Sequence, residues 1–245
     1  MRALFGFLAF LLAVSSAAAG PVTVPFVGCP SDGQVGPDPA PKGEPVAVAL
    51  DAKTASRLAF YQSKYDSGVL APRGWHCANL EGSSGWFTIV APEPLDPTVL
   101  LDPKKHPLTG PAIQISANNG GTSGRFEVAQ LIARYFPQRR AFLRSVIAEG
   151  IEPASHFPSG AFKADRLVSL RPNIVEYLTP AGREGLGTKS RLVPSNLPVH
   201  GVAAVIGGSD EDWAGYIFSV RLAKDQDDLA PVILRWSERT YLETK

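Results

Sequence analysis

The spacing of apolar residues changes character along the chain. Gly20 to Pro45 holds seven Pro and five Gly with no sustained period, which predicts an extended leader of strand or loop. Thr54 to Lys64 places Leu58 and Tyr61 at helical spacing and predicts a short helix. Val69 to Trp75 reads as a strand entering a Pro/Gly turn. Trp75 to Leu80 follows, and after the Gly82–Gly85 turn the aromatic and β-branched run Trp86 to Val90 predicts a strand. Pro92 to Pro107 is a Pro-punctuated connection, Ala112 to Ser116 a strand, and Asn118 to Gly124 a Gly-rich loop.

Helical spacing then takes over. Val128, Leu131, Ile132, Tyr135 and Phe136 share one face. Pro137 interrupts and opens a second helix carrying Phe142, Val146 and Ile147, which Gly150 stops. Beyond a loop through Pro153 to Gly160, Arg166 to Leu170 and Ile174 to Leu178 flank Arg171-Pro172-Asn173 as a hairpin. Gly182 to Gly187 turns the chain. Val199 to Ile206 and Tyr216 to Leu222 form a second hairpin around Gly207–Gly215. Leu229, Val232, Ile233 and Trp236 close the chain at helical spacing behind Asp225, Asp227 and Asp228, acids suited to a helix N-terminus. The fold class is therefore α+β: an antiparallel sheet of hairpins with a long interrupted helix and a C-terminal helix packed on it. No repeat and no linker divides residues 46–245, which read as one domain.

The N-terminus changes the picture. Arg2 precedes twelve uncharged residues, Ala3 to Val14, and then Ser15-Ser16-Ala17-Ala18-Ala19. This is the secretory signal pattern, with cleavage expected after Ala19; the apolar run is too short for a membrane anchor. Residues 1–19 are thus read as a signal peptide and 20–45 as the leader, and the place of work as the periplasm or the medium. No later stretch is apolar enough to span a bilayer. Phe26-Val27-Gly28-Cys29 faintly resembles a lipobox, but Cys29 stands well past the apolar run, behind Pro21 and Pro25, which argues against lipidation.

Cys29 and Cys77 both survive signal removal. An even count in an exported chain predicts one disulfide. A catalytic thiolate at Cys77, beside His76, is the competing reading, and an oxidising compartment disfavours it. Loss of Arg2 leaves basic and acidic residues balanced, which argues against nucleic acid or an anionic membrane as partner. The only Met is Met1, so Met-based copper capture is excluded.

Candidate chemistry is sparse. Asn118 to Gly124 leads into a helix at Arg125, and converging backbone N–H groups with Ser123 and Arg125 could hold an anion; a helix cap by Ser123 explains the same residues. Gly182 to Ser190 approaches a phosphate loop but Thr188 separates Gly187 from Lys189, so nucleotide binding is rejected. Arg183, Glu184 and Lys189 remain a polar loop site. His76, His106, His156 and His200 have no metal-ligand spacing, and no metal or cofactor is expected. Asp102 near His106, or His156 and Ser159 near Glu149, Glu152 and Asp165, could be assembled into catalytic sets, as any chain of this size allows. Arg134, Arg139, Arg140 and Arg144 form either a basic face for an anionic polymer or a solvated helix face. Trp75, Trp86 and Trp236 suit core packing, whereas Trp213 follows the polar turn Ser209–Asp212 and is expected to be exposed.

GVLAPRGWHC (68–77), GGTSGRFEV (120–128), EGIEP (149–153), VEYLTPAGREGLGT (175–188) and SVRL (219–222) resemble a family of exported bacterial proteins of unknown activity. That resemblance carries over no catalytic residue. The P-x-G-W strand end and the final strand and helix are also similar to PsbP-like α/β/α sandwich domains, which are largely binding and assembly modules. The expectation is a non-catalytic module for an envelope ligand or protein. The alternative is a hydrolase of an envelope or extracellular polymer drawing on Glu176, Glu184, His156 or Asp165. Whether the Gly120 and Gly185 loops open onto one cleft is the observation that bears most on both.

Overall fold

A computed structural model describes residues 22–100, 107–189, 191–207 and 213–242. The expected signal peptide, the Asp102/His106 pair, Ser190 and the Ser209–Asp212 turn lie outside the described residues. The leader supplies β1 (Val22–Val24), β2 (Phe26–Gly28) and β3 (Ser31–Gly33), followed by β4 (Val46–Val48), α1 (Ala52–Ser56) and β5 (Leu58–Gln62). Next come β6 (Val69–Pro72), β7 (His76–Gly82), β8 (Gly85–Ala91), the single-turn α2 (Pro97–Leu100) and β9 (Ala112–Asn119). The helices α3 (Arg125–Tyr135) and α4 (Arg140–Ala148) precede β10 (Arg166–Arg171), β11 (Ile174–Thr179), β12 (Val199–Gly207), β13 (Trp213–Arg221) and α5 (Ala230–Leu242).

Eight strands form one large sheet in the order β10-β11-β12-β13-β9-β8-β7-β3. The two hairpins expected from sequence are present as β10–β11 and β12–β13, and β7–β8 forms a third across the Gly82–Gly85 turn. The sheet is more than hairpins, however. β9 and β13 pair across almost a hundred residues of chain, and leader strand β3 joins β7 in parallel. Two small sheets, β2-β5-β6 and β1-β4, lie beside it. Every described leader strand is thus paired with the body. The disulfide Cys29–Cys77, with Cα atoms 5.1 Å apart, fixes the leader between β2 and β3 to β7.

Strand alternation sorts side chains into two cores. Ile113, Ile115 and Ala117 of β9, with Tyr216, Phe218 and Val220 of β13, face α5 and the small sheets. The opposite face takes Ala203, Val205 and Trp213 and packs them under Val128, Leu131 and Ile132 of α3 and Phe142 and Val146 of α4. The order of layers is α3 and α4, large sheet, then α5 with the small sheets. Among the described residues no helix is long and apolar enough to cross a membrane.

Two local expectations are corrected. The helix predicted over Thr54–Lys64 stops at Ser56, where α1, capped by Asp51, gives way to β5. Leu58, Ala59, Phe60 and Tyr61 are all buried, and four consecutive buried residues suit a strand covered on both faces, not one helical stripe. Trp213 is buried, not exposed: it opens β13 on the α3 side, with the Arg139 guanidinium 4.7 Å from its ring centroid.

Candidate functional site

The α3 face of the sheet is not filled evenly. On β9 the residues that alternate with Ile113, Ile115 and Ala117 are Gln114, Ser116 and Asn118. They form a polar floor beside α3, joined by Ser219 of β13. A cavity of about 680 Å³ lies over them, walled by Phe87, Leu131, Tyr135, Phe162, Leu186 and Ile217. That volume and mixture of apolar walls with few polar groups match a small-molecule site.

The floor is left open because α3 turns one flank, not its apolar face, toward it. Val128, Ala129 and Ile132 are buried, while Glu127, Gln130 and Arg134 on the adjoining flank of the helix face the cavity. Gly124 allows α3 to begin so close to the sheet: a Cβ there would meet the Ser84 carbonyl oxygen at 2.1 Å. Gly124 is therefore the N-cap, and the Ser123 side chain does not cap the helix. Ser116 and Asn118 are half-buried, and their side chains have no hydrogen-bond partner among the described residues. The Ser219 hydroxyl lies 2.8 Å from the Tyr177 hydroxyl, which also donates to the Phe218 carbonyl.

Two polar anchors, half-buried Asp165 and buried Arg221, hold the walls. Asp165 accepts from the Tyr135 hydroxyl (2.9 Å), the Thr179 hydroxyl (2.6 Å) and the Leu186 amide (2.9 Å). Burial and the nearby Asp165 charge push the Tyr135 hydroxyl up from its ordinary pKa, so it remains a neutral donor. A Cβ on Gly185 would lie 2.0 Å from Asp165 Oδ1, which explains the glycine in that turn. The second anchor is Arg221, with no exposed surface. It donates to the carbonyls of Gly110 (2.7 Å), Val193 (2.7 Å) and Leu108 (2.5 Å). Burial pushes its pKa down to about 10, yet three carbonyl acceptors favour the charged form. It clamps the 107–111 and 191–193 segments to β13 and so positions Arg191 at the cavity, where Phe87 lies under the guanidinium.

The residues singled out in the sequence separate on this geometry. Lys189 lines the cavity; Ser123, Arg125, Arg183 and Glu184 do not. Arg125 is engaged elsewhere, in a two-pronged pair with Glu149 (2.8 and 2.7 Å to Oε2) and a bond to the Thr122 carbonyl. The Glu149 partner raises its pKa above the ordinary arginine value. Arg183 and Glu184 are exposed, and Glu184 reaches Lys189 at 3.5 Å. Asn118, at the end of β9 before the Gly120 turn, and Leu186 and Lys189, just after Gly185, line this one cleft, whereas Gly120–Gly124 and Gly182–Gly185 do not.

Of the acid/base candidates, Asp165 is occupied by its three donors, and Glu176 sits on β11 between Val175 and Tyr177, which face the α3 core, and so points to the other side of the sheet. His156 lines the cleft mouth with Nδ1 2.6 Å from Glu152; its Nε2 meets no serine or threonine hydroxyl among the described residues. Among the described residues no group of three or more His, Cys, Asp or Glu is placed to hold a metal. Arg134, assigned by sequence to a basic or solvated helix face, turns instead into the cleft and stacks 3.9 Å over Phe162. Arg140 and Arg144 remain exposed. The polar floor was the residue set missed from sequence. Its one signal was the alternation of Gln114, Ser116 and Asn118, ordinarily read as a solvent face. Compared with protein-family models, curated proteins and solved structures, the chain finds no match.

Proposed function

We propose that this chain works outside the cytoplasm, in the periplasm or the medium, as a binding module, and that its ligand sits between the β9 floor and α3. One observation carries the reading: half-buried Ser116 and Asn118 face a 680 Å³ cavity without a hydrogen-bond partner among the described residues. Such groups forgo hydrogen bonds unless water or a ligand supplies them. The disulfide supports an oxidising compartment. The likeness to PsbP-like binding domains and to the exported family of unknown activity is part of the same proposal and rests on the sequence motifs alone. The polymer-hydrolase alternative has less behind it, since Asp165 is engaged and Glu176 faces away from the cleft.

The test is capture. Residues 20–245 are incubated with a cell-envelope extract, washed, and the bound small molecules identified by mass spectrometry beside a Ser116→Trp variant, whose indole would occupy the cavity. Retention by the unaltered protein and loss in the variant is the expected result. Equal retention by both would refute the site.

A further inference from the structure

The cavity is electrically lopsided. β9 and α3 are joined by a tight turn and run antiparallel, so the Asn118 end of the floor lies toward the first turn of α3 and the Gln114 end toward its last. Glu127 and Arg134 mark these two ends, about 10 Å apart at the helical rise. The acidic end holds Glu127 and Glu81, and Glu81 already accepts from the Val35 amide at 2.9 Å. The basic end gathers Arg134 from α3 with Lys189 and Arg191 from the segment that follows Leu186. Arg191 belongs to this end because its amide donates to Gln114 Oε1.

The Arg134 guanidinium lies over Phe162, and one of its nitrogens donates to the Gly160 carbonyl at 3.2 Å. It has no carboxylate partner among the described residues. Lys189 Nζ lies 5.3 Å from the same ring, and its pair with Glu184 is long and largely solvated, hence weak. A guanidinium held flat by a ring presents a fixed fork of donors, the geometry that recognises a carboxylate. The apolar walls focus the field of these cations toward the cleft.

Resting on the binding-module reading, we infer that the cleft takes small organic acids, with the carboxylate at Arg134 and Lys189 and a hydrogen-bonding body along Ser116 and Asn118. Backbone and arginine side-chain resonances of the mature protein are followed by NMR during titration with benzoate and galacturonate. Each acid is run beside its neutral primary amide. The acids are expected to shift Ser116, Asn118 and the Arg134 Nε–H, and to bind at least about tenfold more tightly than the amides. Arg134→Gln and Lys189→Gln, each with an unchanged circular dichroism spectrum, should erase that preference. Acid and amide binding equally within the cleft, or a preference that survives both substitutions, overturns the choice of organic acids and leaves the cleft as a binding site. If no probe shifts any cleft resonance, the binding-module reading falls with it.

Discussion

Buried Arg221 and half-buried Asp165 show how single polar groups shape this molecule. Each is surrounded by backbone or neutral partners, so its value is positional. Arg221→Met leaves the carbonyls of Leu108, Gly110 and Val193 without their donor. The expected loss is about 3 kcal/mol of unfolding free energy, read from urea denaturation. Asp165→Ala strands three donors at the turn below the cleft, and the Leu186 amide should exchange hydrogen faster as the turn loosens. Gly185→Ala should act in the same direction, because its Cβ has no room beside Asp165. At this scale the sequence was least legible. Asp165 and Arg134 were visible as charged residues, but nothing local distinguishes an acid that tethers a turn from one that moves a proton, or a cation stacked in a cleft from one in solvent. That difference is made by partners thirty residues away, as with Tyr135 and Asp165.

At the scale of elements, short-range patterns carried most of the information. The hairpins β7–β8, β10–β11 and β12–β13 and the helices α3, α4 and α5 follow from period and turn residues. β5 did not, because its run of buried residues has the same composition as a helix and only the strands on either side, β2 and β6, decide the case. The parallel pairings of the leader were likewise hidden, since a Pro/Gly-rich segment shows no period of its own. The Cys29–Cys77 bond was legible from residue count and compartment. Its replacement by Cys29→Ser with Cys77→Ser should cost roughly 4 kcal/mol in the chain-entropy model. Because β1, β2 and β3 are each only three residues long, limited proteolysis should then cut first within residues 22–45.

For the whole molecule, two cores on opposite faces of one sheet make stability sensitive to alkaline pH. Burial raises the pKa of Tyr61, to about 12, and raises Tyr135, Tyr177 and Tyr241 further above the ordinary value of 10.0. In the unfolded chain these groups ionise near pH 10, before they do so in the folded protein. Their contribution is therefore complete below pH 10 and is lost as pH rises from there through the folded values. The melting temperature should therefore fall steadily above pH 10. A melting temperature that is flat or rising there would refute this expectation.

The overall α+β class was readable because helical and strand periods alternate along the chain. The cleft was not, since its floor comes from β9 and its walls from α3 and the 186–191 segment, brought together by the pairing of β9 with β13. The direct test of that cleft is an NMR map of the small molecule that the unaltered protein retains from envelope extract. Contacts from the bound molecule to Ser116, Asn118, Gln130 and Arg134 are the predicted result. Contacts confined to the exposed strand β10, to the Gly182–Glu184 turn, or to any surface away from β9 and α3 would contradict it.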